Sequence, residues 1–358
     1  MRSWDSIINK LAATVEHVRP FLTRSMYSAR ESTDIARIMT QPTDRPLAPL
    51  VSIVIPTYNR DDLVAAAIDS ALRQTHPRCE VIVVDDGSTD RTGNVLRAYA
   101  GRITAIRQEN KGLSGARNTG IRNAQGAFVG FLDSDDLWEP RLVEAALAIF
   151  EGHPQVGAVF LAEREIDLAG RISPTIHGKR TPGLFFTPEG MIGRDTGVGC
   201  GRPPVARTEL LKTLGLFDES FRNFADCEMW IRHSFHFQMA ILAEPLVLRR
   251  VHPGNVSADF AKDATQWLRI LDNLEREHPA FAAAHPAVMR RTRAKQHLRI
   301  GRDALAKCRD DRTRVRDARH NLRETVRLWP RFYRAWIYLA WSYVAPRTYG
   351  AFRDLEMR

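Results

Sequence analysis

Ala127-Phe128-Val129-Gly130-Phe131-Leu132 runs directly into Asp133-Ser134-Asp135-Asp136. The apolar run reads as a strand, and the acids stand at its carboxyl end. Two carboxylates two residues apart in that position suit a hard divalent cation carrying a phosphate. Alone, the triplet is equally compatible with a solvated acidic turn. A second acidic strand end stands upstream, Val83-Val84-Asp85-Asp86-Gly87-Ser88. Open α/β sheets bind ligands outside the carboxyl ends of their strands, so two such ends predict one site for a phosphorylated, ribose-bearing ligand.

Short β-branched runs recur at 51–56, 80–84, 103–107, 127–132 and 156–161, separated by helical stretches near 61–75, 90–100, 114–124 and 140–150. Strands alternating with helices predict right-handed crossovers and an α/β fold with a mostly parallel sheet. Residues 4–38 carry Trp4, Ile7, Ile8, Leu11, Val15 and Val18 at helical spacing, interrupted by Pro20, and are expected to pack against the main domain, with membrane contact as the alternative. Pro42, Pro46 and Pro49 make 40–49 a linker. Past residue 162 the alternation gives way to loops. Residues 178–204 hold seven glycines and four prolines, and part of that stretch is expected to be mobile. Residues 259–345 read as helical throughout, with breaks at His278-Pro279 and Trp329-Pro330. Within them, 312–344 looks similar to a single tetratricopeptide-type helix pair. The predicted division is 1–49, an N-terminal helical segment and linker; 50–258, the α/β domain; and 259–358, an all-helical basic extension.

The chain has 358 residues, 44% apolar and 26% charged, as soluble globular proteins do. No run of 18 apolar residues exists to form a spanning helix. Met1-Arg2-Ser3-Trp4-Asp5-Ser6 lacks the apolar core of a secretion signal. Cys79, Cys200, Cys227 and Cys308 are scattered without CxxC spacing, which argues against a zinc site or disulfide framework and suits a reducing cytoplasm. A cytoplasmic location is therefore expected, with peripheral contact at the inner face of the membrane as an open alternative. The net charge is +10, while residues 261–358 alone, with 22 Lys/Arg against 11 Asp/Glu, carry +11. Such a basic block meets anionic lipid, nucleic acid or only solvent. The final helix mixes Phe332, Tyr333, Trp336, Tyr338, Trp341 and Tyr343 with arginines, as an interfacial helix or a helix packed on its neighbours would. No GxGxxG follows the first strand and no GxxxxGK[ST] is present, which disfavours dinucleotide redox and P-loop chemistry.

Seven segments in order resemble the motifs of family 2 glycosyltransferases. They are Val51–Asn59, Val83–Asp90, Asn110–Gly120, Phe131–Asp136, Gly215–Asp218, Ala225–Trp230 and Arg250–Asn255, so the resemblance covers roughly residues 50–255. It implies the GT-A fold and an inverting, metal-dependent transfer of a sugar from a nucleotide diphosphate sugar, a UDP-sugar first. The acceptor it implies is a hydroxyl of a glycan or lipid-linked molecule, and the expected pathway is a bacterial surface polysaccharide. A divalent Mn2+ or Mg2+ would compensate the charge of the departing diphosphate. Asp135 is the expected metal carboxylate, and Asp133 faces the ribose or shares the metal. His252 reaches the metal or diphosphate, or is a loop residue. The turn of Pro56, Tyr58 and Asn59 approaches the base of the nucleotide, which Asp86, with Asp85 as the alternative, contacts. Gly112 opens a helix whose amide groups, with Arg117, face the diphosphate or sugar. Alternatively, Arg117 pairs with a sheet-end carboxylate.

The resemblance further makes Asp226 the base that deprotonates the acceptor. The family's usual Glu before that base is Ala225 here, which puts the acceptor contacts in question. Glu228 is the fallback, although two residues along a helix turn it about 200° away. Trp230 is expected in the core, and Asp136 is expected either at the site or capping a helix near Leu137-Trp138. A catalytically silent member, with the basic tail as an assembly or membrane-docking module, is the alternative function. No nucleic-acid partner is expected, since no recognised binding motif is present.

Overall fold

The computed structural model describes residues 35, 38, 39, 48–178, 187–193, 204–221, 224–252, 260–308 and 311–349. Four parallel strands open the sheet: β1 (Val51–Thr57), β2 (Cys79–Asp85), β3 (Thr104–Arg107) and β4 (Phe128–Phe131). β1 is buried along its whole length because helices cover both its faces, which is why its sequence is continuously apolar rather than alternating. Val51, Ile53 and Ile55 point to one core, shared with α1 (Val64–Leu72) and α4 (Leu142–Gly152). Val54 points to the other, beneath α3 (Gly112–Asn123). Between β2 and β3 runs α2 (Thr92–Arg97).

The remaining strands are β5 (Leu137–Trp138), β6 (Val156–Ile166), β7 (Ile172–His177), β8 (Val205–Arg207) and β9 (Gln238–Arg250). Their order across the sheet is β3-β2-β1-β4-β8-β6-β9-β5, with β7 on β6. β8 runs antiparallel to both β4 and β6, β7 antiparallel to β6, and β5 antiparallel to β9, while β6 and β9 are parallel. The α/β architecture matches the expectation, with a mixed sheet. The loop expectation after 162 needs correction, since β6 continues to Ile166 and β7, β8 and β9 follow. Helices α5 (Pro188–Gly193), α6 (Thr208–Leu214) and α7 (Ala225–His233) lie in the same stretch. The remainder of 178–204, where mobility was expected, and most of 4–38 and 40–49 lie outside the described residues. Of the N-terminal segment, Ile38 is buried in the α3-side core, with Ile35 and Met39 against it.

One position ties α3 to β1. A Cβ placed on Gly120 would fall inside the Val54 side chain, whose β-branch leaves it little room to turn. Gly120→Ala is therefore expected to lower stability by about 1–3 kcal/mol through overpacking. A drop in the thermal midpoint checks it, and an unchanged midpoint would show that the helix slides freely on the strand.

The C-terminal extension is helical as expected; its described residues form five α-helices, α8 (Phe260–Glu277), α9 (Pro279–Ala284), α10 (Pro286–Ala306), α11 (Arg312–Leu328) and α12 (Tyr333–Val344), and a final 3-10 turn, Pro346–Thr348. Besides the two expected breaks, the chain breaks at His285, and again before Asp311, whose side chain caps α11 by accepting from the Thr313 and Arg314 amides. α8 inserts Trp267, Ile270, Leu271 and Leu274 into the core that holds Trp230 of α7. Leu305, Cys308, Ala318, Leu322, Tyr338 and Tyr349 form a separate small core for α10, α11 and α12. Cys79 is half-buried, Cys227 and Cys308 are buried, and Cys200 lies outside the described residues. Among the described residues no helix is long and apolar enough to cross a membrane.

Candidate functional site

The carboxyl ends of β1, β2 and β4 share one edge of the sheet, which brings the acidic turns together. The loops after β1 and β2 are bound to one another. The Asn59 amide donates to Ser88 Oγ at 3.0 Å, and Asn59 Oδ1 accepts from the Thr89 amide at 2.8 Å. Asn59 adopts φ 50°, a left-handed conformation that asparagine tolerates. Pro56 is buried within β1, opposite Val84, and Tyr58 projects with 46% of its surface exposed.

Asp85 and Asp86 are both buried but differ in how they are used. Asp85 Oδ1 accepts from the Ser88 amide at 2.8 Å, and its Oδ2 accepts from Arg107 Nη1 at 2.7 Å. Asp86 Oδ1 takes Gln108 Nε2 at 2.7 Å and the Lys111 amide at 2.9 Å. The turn between them is compact. A Cβ on Gly87, at φ 83°, would stand 3.2 Å from the Asn110 amide nitrogen. Gly112, which opens α3 at φ 75°, has open space where its Cβ would be.

Arg117 of α3 is the centre of the arrangement. It is 1% exposed, and its forked guanidinium spans two carboxylates from distant parts of the chain. Nη2 donates to Asp133 Oδ1 at 2.8 Å and Nη1 to Asp226 Oδ1 at 2.5 Å, while the Phe217 ring lies 5.6 Å below. Arg117 thus pairs with a sheet-end carboxylate, Asp133, and with Asp226 as well. Burial works against its charge, but the carboxylates of Asp226 and Asp133 overrule burial and raise its affinity for the proton. Asp226 stands in the first turn of α7, behind Phe224. Burial raises the Asp226 carboxyl above the ordinary aspartate range; Arg117 opposes the rise and Asp133 adds to it.

Asp135 and His252 meet on the far side of the same turn. His252 Nε2 lies 3.1 Å from Asp135 Oδ2, with Arg60 Nη2 at 4.0 Å from that oxygen. Arg250 braces the turn: its amide donates to Asp136 Oδ1 at 2.9 Å and its Nε to the Asp135 carbonyl at 3.1 Å. The helix-cap expectation for Asp136 is thereby corrected. Leu137-Trp138 is a strand paired with Leu248 and Val247, and Asp136 ties that strand's start to the end of β9.

Glu228 is engaged by Arg232, Oε1 to Nε at 2.8 Å, and Trp230 is fully buried edge-on to Phe160, as expected of a core residue. Arg60, Gln108 and Arg250 were not singled out from the sequence. Arg60 directly follows the β1 turn, Gln108 directly follows β3, and Arg250 stands two residues before His252. The strand-end rule that marked the acids was sufficient to mark all three.

Residues 52–215 match the family described as Glycosyl transferase family 2. An uncharacterized glycosyltransferase of Rickettsia typhi is 30% identical over 220 residues, 59% of this chain and 66% of the relative. The aligned stretches cover between 18% and 66% of the curated relatives' own lengths. Among solved structures, Staphylococcus aureus TarS 1-349 in complex with UDP-GlcNAc superposes with a TM-score of 0.60 at 19% identity, over 85% of this chain and 92% of that one. The mannosyltransferase PcManGT from Pyrobaculum calidifontis, in complex with GDP-Man and Mn2+, gives 0.51 at 21% identity, over 96% and 97%. At these identities the structural likeness shows the fold.

Proposed function

This chain belongs to glycosyl transferase family 2 and has its GT-A-type α/β fold, and from that premise we propose that it transfers a sugar, with inversion, from a nucleotide diphosphate sugar to a hydroxyl of a glycan or lipid-linked acceptor. A role in building a bacterial surface polysaccharide is part of the proposal. The carrying observation is the Asp133–Arg117–Asp226 bridge, which sets the proposed donor-side carboxylate and the proposed base on one buried cation. The donor is proposed to be a UDP-sugar, in keeping with the UDP-GlcNAc held by the TarS structure. Asp86 is the better base contact of the adjacent pair. Both Asp85 oxygens are committed to Ser88 and Arg107, whereas the two bonds to Asp86 fall on one oxygen.

A divalent cation fits the residues present. A carboxylate and an imidazole already touch, at Asp135 and His252, and a second carboxylate, Asp133, stands on the same turn. Among the described residues no three His, Cys, Asp or Glu side chains gather closely enough to hold a metal by themselves. Asp135 and His252 would hold the ion, with Asp133 near, and donor phosphates would complete the oxygen shell, as hard cations in such sites require. When bound, it neutralises charge on the departing diphosphate.

Asp226 then serves the acceptor. Its raised proton affinity makes it a stronger base than a solvated aspartate, and Arg117 fixes its orientation. Asp226 removes the acceptor's hydroxyl proton as the oxygen attacks the anomeric carbon from the face opposite the nucleotide, which inverts the configuration.

Asp135→Asn is expected to lose most activity and most metal-dependent binding of UDP, because the cation loses an anionic oxygen. Titration of UDP with and without Mn2+, beside turnover at saturating donor, checks it. Unchanged turnover with unchanged Mn2+ dependence would overturn the metal assignment. Donor hydrolysis and transfer both absent in the unmodified protein, with UDP still bound, would favour a catalytically silent member.

A further inference from the structure

We propose that the outward face of α12 docks the protein on an anionic lipid surface. Among the described residues ten large apolar side chains are exposed, and five of them, Tyr333 (64%), Trp336 (52%), Ile337 (51%), Tyr343 (48%) and Val344 (85%), belong to this one helix. Their spacing places them in a single stripe. The opposite side, Ala335, Tyr338 and Ser342, is buried, so the stripe is what remains after α12 has packed.

In the sequence the stripe is flanked by cations alone. No acid occurs between Glu324 and Asp354, while Arg327, Arg331 and Arg334 do, and Arg347 and Arg353 follow in the chain. α11 adds two more cations beside the stripe: the Arg319 guanidinium lies 4.1 Å from the centre of the Tyr343 ring, and Arg323 donates to the Tyr343 hydroxyl. The Trp336 indole nitrogen is satisfied internally, by the Pro330 carbonyl at 2.9 Å, which leaves the ring as an apolar surface. Aromatic and aliphatic side chains rimmed by arginines are what an interfacial helix presents to headgroups and the upper acyl region.

The same features select among occupants. Twelve residues of α12 reach about 18 Å, too short for a bilayer core, so the contact is peripheral. A symmetric pairing of two copies through this stripe would set arginines against arginines with no carboxylate of the helix to relieve them. A nucleic acid would use the arginines but leave Ile337 and Val344 without an apolar partner.

The test uses the full chain with vesicles of phosphatidylcholine alone or mixed with phosphatidylglycerol, read by co-sedimentation. Binding to the anionic vesicles at low salt, lost at high salt, is expected. R331Q/R334Q is expected to weaken it about thirtyfold, at about fivefold per arginine. W336S/I337S, on exposed side chains whose loss spares the fold, is expected to weaken it at least as much. No binding at low salt, equal binding to neutral vesicles, or full binding by W336S/I337S would each overturn the proposal. A dimer that W336S/I337S dissociates, in a protein that ignores vesicles, would also overturn it and assign the stripe to a second copy.

Discussion

Asp226→Asn is expected to remove sugar transfer, by on the order of 10²–10⁴-fold, while UDP binding stays near its starting value. The carboxylate acts on the acceptor, and the groups proposed for the donor lie elsewhere on the edge of the sheet. Asparagine keeps the shape of the side chain and an oxygen to accept from Arg117 Nη1, so the turn should keep its geometry. The acid limb of the unmodified activity follows from the same residue. Burial raises the Asp226 carboxyl, so the base takes up its proton, and activity falls, at a pH above the ordinary aspartate value of about 3.9. Transfer rates and UDP affinities of the two forms check the assignment. Parallel collapse of UDP affinity, or greater damage from Glu228→Gln, would move the base elsewhere; Arg232 already holds Glu228, which makes the second outcome unexpected.

Arg117→Met is expected to cost roughly 3 kcal/mol of folding stability, the lower end for removing one partner of a buried pair. The lower end applies because the side chain of Asp133 is 35% exposed, so water can take over part of its charge; that of Asp226, at 15%, has less recourse. Arg117→Lys should fall between, since an ammonium keeps the charge but does not fork to both acids. Urea midpoints measure the effect. Adding Asp226→Asn to Arg117→Met should recover part of the loss, because one of the two uncompensated charges disappears, and that recovery separates an electrostatic origin from lost packing on Phe217. Arg117→Met as stable as the parent protein would mean that the two acids do not depend on it.

What the sequence made legible follows a physical division. The first strands and the acids at their ends were readable because local signals carry them: β-branched runs, then charge at the point where the run stops. β8 and β5 escaped because Val205–Arg207 and Leu137–Trp138 are too short to show a period, and both are held by pairing with distant chain. β9 escaped for another reason. Glu244 and Pro245 interrupt it, as a loop would, but they fall where the β6 register jumps between Leu161 and Glu163, a bulge that accepts a proline. Arg117 shows the limit most clearly. In sequence it is an arginine in a helix, ordinarily solvated, and its partners are 16 and 109 residues away. Only the fold, by bringing Asp226 of α7 and Asp133 at the end of β4 to one side chain of α3, turns it into the buried cation of the site.

Phe224 stands at φ 61°, an unfavourable conformation for a bulky residue, one position before the turn that carries Asp226, and its ring meets Trp267 of α8 edge-on at 5.9 Å. The helical extension therefore forms the wall behind a strained turn of the α/β domain. In evolutionary terms, the two parts are then expected to be inherited together. A lineage that trades this extension for another must supply a new ring behind Phe224 or reset the turn, so shuffling of tails among relatives should be rare where this contact exists, and chimaeras joined near residue 258 should need the α8 face of the parent to keep Asp226 in place.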